Sequence, residues 1–252
     1  MPVWLRNVLA LFLILAFSAS FYYFFIRPYA YRWKPCGGQK EYGVCMPCCY
    51  DVHGIDVSHY QGRIDWEELF AQNQETDFPI EFIFMKATEG ATLGDDTFQK
   101  NFALAHKYGF IRGAYHFFSP KTDALKQADF FIKTVTLRKG DLPPVLDVEL
   151  TGRKSKSELQ KSLKIWLDRV EAHYKVKPIL YTSHKFKTKY LNDPSFDVYP
   201  YWIAHYYVDS VKYAGKWYFW QHTDVGSVKG IKEEVDLNVF NGTLEDLEAL
   251  TI

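Results

Sequence analysis

Between Gly54 and Tyr190 the chain alternates five times between a short apolar run and a longer stretch with apolar residues at helical spacing. The runs lie at 54–58, 82–86, 111–118, 145–150 and 179–182; the helical stretches at 65–70, 97–108, 124–135 and 156–175, with a shorter one at 185–190. The stripe Leu159, Leu163, Trp166 and Val170 shows the spacing well, and Gly109 is placed to end the 97–108 helix. Apolar strands that alternate with amphipathic helices imply an α/β domain whose parallel sheet is covered on both faces. After residue 190 the rhythm changes. Segments 201–204, 217–221 and 235–240 read as three strands with no long helix between them, and Thr243 caps a closing helix at 244–250. Eight strands suggest a barrel akin to the (βα)8 type, incomplete in its last third, with its working face at the carboxyl ends of the strands.

One strand carries chemistry in its own sequence. In Pro143-Pro144-Val145-Leu146-Asp147-Val148-Glu149-Leu150 two acids interrupt an apolar run two residues apart. Side chains alternate along a strand, so Asp147 and Glu149 share a face, with Cα atoms roughly 6–7 Å apart. Taking both from water costs several kcal/mol each unless they are paired or partly solvated. Such a pair also separates two pKa values, as a general acid and its partner require. On spacing alone a second reading is equally open: two acids that end a strand and meet Lys or Arg from a neighbour. The rest of the chain bears on the choice, because Asp56, His116, Tyr181, His205, Gln221 and Asp236 also fall at or near strand ends.

Length and composition narrow the function. The 252 residues, nearly half of them apolar, can bury a full core, and one domain of about 200 residues is expected. Formal charge is zero and no basic run occurs, so nucleic acid is not an expected partner. No phosphate loop or dinucleotide fingerprint is present, and no cofactor is expected. His116, His205 and His222 lack metal-ligand spacing, so no metal is expected either. Aromatic residues make up 18% of the chain; such rings fill cores and also stack on sugar faces.

The amino end stands apart. Residues 8–26 run without a charge and as a helix span about 28 Å, the thickness of a hydrocarbon core. Two readings are open: an uncleaved single-pass anchor with Tyr22, Tyr23 and Trp33 at the interface, or a signal peptide cut near Ser18-Ala19-Ser20 and a secreted product. The anchor is favoured because the apolar run continues through Phe25 and Ile26. Arg27, Arg32 and Lys34 on its carboxyl side lean against export by the positive-inside tendency. The cysteines lean the other way. All four, Cys36, Cys45, Cys48 and Cys49, lie between this segment and the domain, an even count that suits two disulfides in an oxidising compartment. A zinc site through Cys45 and Cys48 is the alternative, made awkward by the adjacent Cys49. The expected division is thus a membrane or signal segment at 1–33, a Cys-rich linker at 34–53 and a catalytic domain at 54–252.

The block from Gly54 to Gly62, Gly-Ile-Asp-Val-Ser-His-Tyr-Gln-Gly, followed by Asp65-Trp66, resembles the opening of the family 25 glycoside hydrolases, the muramidase type of lysozyme. Lys86-Ala87-Thr88-Glu89-Gly90, Gly113-Ala114-Tyr115-His116-Phe117, Asp147-Val148-Glu149, Trp202-Ile203-Ala204-His205-Tyr206, Trp220-Gln221 and Val235-Asp236-Leu237-Asn238 resemble further blocks of that family, in its order. The pair His59-Tyr60 departs from the pattern, since many members have an aromatic such as Trp there.

The resemblance implies a flattened TIM-like (βα)5β3 barrel, and hydrolysis of the β-1,4 bond after N-acetylmuramic acid in peptidoglycan glycan strands; a monomeric catalytic domain is expected. It implies Glu149 as general acid and Asp147 as its partner, acting directly or by orienting the substrate's acetamido group, with Asp56 and Asp236 as supporting acids. Tyr115, Tyr181, Trp202, His205 and Gln221 are the residues expected to meet sugar. Lys86 and Glu89 can pair with each other or with rim acids. The other class of function consistent with the sequence is a peptidoglycan-binding module that keeps the groove without catalysis.

Overall fold

A computed structural model describes residues 1–27 and 36–252 and divides them into two compact units, 1–39 and 40–252. In the first unit, helix α1 (Val3–Phe21) continues as a π-helical turn at Tyr22–Ile26. Together they form one helix, Val3–Ile26, whose most apolar 18-residue stretch has a mean hydropathy of 2.2, long and apolar enough to cross a membrane. Arg32, Trp33 and Lys34, flanking residues in the orientation argument, lie outside the described residues.

The second unit begins with a hairpin of β1 (Lys40–Glu41) and β2 (Val44–Cys45), turned by Tyr42 and Gly43 at φ values of 53° and 76°. Tyr42 and Met46 are buried in the main core, so part of the segment 34–53 packs with the folded body. Cys36 and Cys45 are in disulfide linkage, whereas Cys48 and Cys49 are free and exposed. Two of the four cysteines, rather than all four, are therefore disulfide-bonded.

Eight strands close the barrel. They are β3 (His53–Val57), β4 (Ile80–Glu89), β6 (Ile111–Phe117), β7 (Val145–Asp147), β8 (Ile179–Ser183), β9 (Tyr201–Ala204), β10 (Phe219–Gly226) and β11 (Val235–Phe240). A two-residue strand, β5 (Leu93–Gly94), folds back on the end of β4. Five helices follow the first five barrel strands: α2 (Trp66–Asn73), α3 (Phe98–Lys107), α4 (Ala124–Thr134), α5 (Lys156–Tyr174) and α6 (His184–Tyr190). Helix α7 (Leu244–Leu250) ends the chain under the expected Thr243 capping box.

The barrel strands β3, β4, β6, β7, β8, β9 and β10 pair in parallel, and β11 closes the ring by pairing antiparallel with both β10 and β3. The parallel sheet read from the five strand–helix units holds for those strands, and only this last strand, within the three helix-free ones, runs antiparallel. Only eight residues, 227–234, separate β10 from β11, enough for an antiparallel return and too few for a helical crossover.

Strand alternation divides the core in two. Ile55, Ile83, Met85, Ala114, Leu146, Leu180 and Ile203 pack outward with the helix stripes, Leu159, Leu163, Trp166 and Val170 among them. Phe82, Phe84, Val145, Ile179, Tyr181, Trp202 and Phe219 form the other cluster. That second set fills the lumen, because Phe84 and Trp202 stack at 4.4 Å although β4 and β9 are not neighbours. Gly54 and Gly113 make room for the rings: a Cβ on either would collide with Phe82 or Phe84, respectively.

Candidate active site

Above the aromatic lumen the inward-facing positions turn polar and line a cleft of about 230 Å³. Asp56 comes from β3, Lys86 from β4, and Tyr115 and Phe117 from β6. Asp147 ends β7, with Glu149 just beyond it. Tyr181, Trp202 and Gln221 come from β8, β9 and β10, and Asp236 from β11. Because β11 runs antiparallel, its amino end reaches the rim formed by the carboxyl ends of the other strands. Asp236 therefore pairs in register directly opposite Asp56.

Strand β7 ends at Asp147, yet the alternation persists, so Asp147 and Glu149 both face the cleft. Their settings differ. Asp147 is buried, its Oδ1 has no hydrogen-bond partner among the described residues, and Glu149 is exposed at the mouth. Burial pushes the Asp147 carboxyl well above the usual range, Glu149 and Asp56 add to the push, and Lys86 opposes it. For Glu149 the surrounding protein also raises the carboxyl, against the Tyr181 hydroxyl and the Lys86 ammonium. Lys86 Nζ pairs with Glu89 Oε2 at 2.6 Å and lies 5.1 Å from the Phe117 ring centre, so it meets its sequence neighbour while facing the cleft.

Asp56 and Asp236 are both raised, burial being the main cause in each. Asp56 is held back by two amides: Gln221 Nε2 and Asn238 Nδ2 each donate to its Oδ2 at 2.8 Å. Asn238 Oδ1 in turn accepts from Trp202 Nε1 at 2.7 Å, and Gln221 Oε1 accepts from the hydroxyls of Tyr181 and Tyr206, each at 2.6 Å. Four acids, one lysine and several ring faces thus meet in one open cleft. Such a group can hold protons on some carboxyls and charge on others beside a bound polyol.

Of the residues expected here, Asp56, Asp147, Glu149, Asp236, Tyr115, Tyr181, Trp202 and Gln221 all line the cleft. His205 does not. Its ring stacks on His184 at 4.5 Å, and Tyr206, one residue on, takes the inward position. His116 likewise faces the helices, between Thr88 Oγ1 (2.7 Å), Gln127 Oε1 (3.1 Å) and the stacked Trp166, with its imidazole pulled down to about 4 by burial. Sequence reasoning missed Ser58, Tyr60, Phe117 and Tyr206, which line the cleft, and Asn238, which holds Asp56. Counting by twos from Asp56, Tyr115, Trp202 and Asp236 finds all of them.

The sequence profile of the glycosyl hydrolases family 25 matches residues 55–231. Lysozyme M1 of Streptomyces globisporus is 34% identical over 215 residues, which span 79% of this chain and 71% of that protein. The protein YegX of Escherichia coli (strain K12), described as uncharacterised, is 44% identical over 220 residues, 87% of this chain and 79% of its own length. Among solved structures, a family 25 glycosyl hydrolase from Bacillus anthracis superposes with a TM-score of 0.75 at 35% identity, covering 86% of this chain and all of that one.

Proposed function

The chain belongs to the glycosyl hydrolases of family 25 and is a glycoside hydrolase, and on that premise we propose that it is an N-acetylmuramidase. Its substrate is bacterial peptidoglycan, and the bond it hydrolyses is the β-1,4 link between N-acetylmuramic acid and N-acetylglucosamine. The observation that carries this reading is the pairing of a buried Asp147 with an exposed Glu149 on one wall of a cleft ringed by further acids.

A general acid must keep its proton near neutral pH and still reach the leaving oxygen. Glu149 suits both demands: its carboxyl is raised, and it stands at the mouth where a glycan strand would lie. It gives its proton to the glycosidic oxygen as the bond to the anomeric carbon breaks. Asp147, beneath it, supports the positive charge that develops on the sugar. Two routes are open to it: direct action, as nucleophile or as base for water, or orientation of the 2-acetamido group whose carbonyl oxygen attacks the anomeric carbon. Asp56 and Asp236 set the local charge and transfer no proton to substrate. Tyr115, Tyr181 and Trp202 line the cleft floor beside which the sugars would lie.

The proposal extends to location. Helix Val3–Ile26 would tether the chain as a single-pass anchor, residues 34–53 would serve as the Cys-rich connection, and the catalytic domain from Gly54 onward would work in the periplasm or outside the cell. The disulfide-linked Cys36 and Cys45 support an oxidising compartment.

The test is clearance of a cell-wall suspension by the full chain in mild detergent, with analysis of the new reducing ends. Muramic acid ends are expected. Glucosamine ends would overturn the bond assignment, and binding without clearance would leave a peptidoglycan-binding module.

A further inference from the structure

The cleft is small for a polymer. Its volume of about 230 Å³ falls below the roughly 300–1,000 Å³ usual for pockets that enclose their ligand, so a glycan strand must run out over the lip. One ring stands open on that lip. Tyr60, in the turn Ser58–Gln61 that follows β3, lines the cleft and is 74% exposed.

The turn that carries Tyr60 is fastened more firmly than a solvent-facing loop needs. Asp95, just past β5, is the main fastening. Its side chain is fully enclosed, and its Oδ2 accepts from the His59 backbone N–H at 2.8 Å and from His59 Nδ1 at 3.0 Å. An ionised carboxylate only accepts, so the imidazole carries its proton on Nδ1. Asp95 Oδ1 accepts from the Thr97 backbone N–H at 3.0 Å and from Thr97 Oγ1 at 2.6 Å. One oxygen thus serves its own loop, and the other serves His59 alone. The His59 ring held in this way lies 4.1 Å from the Tyr60 ring, tilted by 34°, and backs one of its faces. Two further bonds close the turn: Ser58 Oγ accepts from the Tyr60 N–H at 3.3 Å, and Gln61 Nε2 donates to the Glu234 carbonyl at 3.0 Å. An enclosed carboxylate is costly unless it is well bonded. Here that cost fixes a turn whose cleft-facing ring is Tyr60.

We propose that Tyr60 is an outlying sugar-stacking subsite, and that Asp95 and His59 are positioning residues that hold its ring over the lip. Its ligand is a glycan strand longer than the cleft, so the assignment rests on the glycan-hydrolase reading of the site. A ring already backed and pinned loses little freedom when a sugar face settles on it. Strands β3 and β7 stand three steps apart around the ring, through β4 and β6. That is about 14 Å along the sheet. Tyr60 therefore meets a sugar further along the strand than the one beneath Glu149.

The experiment is calorimetry of the full chain in detergent, carrying Glu149→Gln to stop turnover. The ligands are purified glycan oligomers of two and of six alternating N-acetylglucosamine and N-acetylmuramic acid units. Tyr60→Ala should weaken the six-sugar Kd about three- to tenfold, the worth of one ring contact, and leave the two-sugar Kd near the parent's. Tyr60→Trp should restore the six-sugar Kd. Asp95→Ala should weaken it as Tyr60→Ala does, and the two together should lose no more than either alone. Additive losses would make Asp95 a structural residue and overturn the positioning role. Equal losses with both glycans, or no loss with either, overturn the subsite while leaving the hydrolase reading intact. Failure of the Glu149→Gln parent to bind any glycan would instead sink that reading, and the subsite with it. Should Asp95→Ala lose its near-ultraviolet circular dichroism, His59→Ala takes its place in the cycle, with the same outcomes deciding.

Discussion

Asp56 and Asp236 face one another across the antiparallel pairing of β3 and β11, two acids set directly opposite where β11, antiparallel to both its neighbours, closes an otherwise parallel barrel. Like charges at opposed strand positions repel, so the pair is held together by keeping a proton. The two amides on Asp56 favour charge there, which leaves the proton on Asp236.

Asp236→Asn should therefore stabilise the protein, and more so at higher pH. Both carboxyls are raised in the folded state. A raised carboxyl contributes stability that is full below its unfolded pKa and lost as pH rises through the folded value. Removing the acid removes that loss. Thermal unfolding at pH 5 and pH 8 should show a gain at pH 8 that exceeds the one at pH 5, accompanied by reduced activity. Equal gains at both pH values would mean that Asp236 is not the proton carrier.

Glu149→Gln should lower clearance by about a hundredfold or more, the usual range for losing a general acid. The residue is exposed at the cleft mouth, so the unfolding temperature should stay close to that of the parent. Clearance at the parent rate would remove Glu149 from the acid's role.

Asp147→Asn should cost at least about a hundredfold in rate, as expected for a group that stabilises charge in the transition state. A loss below about tenfold would make it structural. Product analysis from a defined glycan, by NMR of the first-formed anomer, separates the routes. Retention fits a nucleophile or acetamido participation, and inversion fits a base for water.

Gly113→Ala should destabilise by about 1–3 kcal/mol, because its Cβ would collide with the Phe84 ring and press on the Leu142 side chain at 3.3 Å. Phe84 stacks on Trp202, which lines the cleft, so activity should fall along with stability. Chemical denaturation and clearance assays measure the two effects. A silent substitution would show that the lumen has slack.

Much of the site was legible because side-chain alternation is a local property. Once Asp56, Tyr115, Asp147, Tyr181, Trp202 and Asp236 are placed on strands, a period of two carries Glu149, Tyr206 and Asn238 inward and turns His116 and His205 outward. His205 was misplaced by reading nearness to a strand end without counting its face, and its ring lies against His184 instead. The vicinal thiols Cys48 and Cys49 were equally beyond reach of counting, since pairing depends on where backbones meet in space.

By itself the sequence determined the order of elements, the residues that turn into the barrel and the family that the chain joins. These follow from periodicity and from motifs whose parts lie within a few residues of one another. Only the tertiary structure decided that β11 runs backward, that Asp236 thereby opposes Asp56, and that Asp147 is buried while Glu149 meets solvent. Those outcomes depend on how eight strands close a ring. Ring closure is set by twist, pairing direction and lumen packing among residues up to about 180 positions apart, which no local pattern encodes.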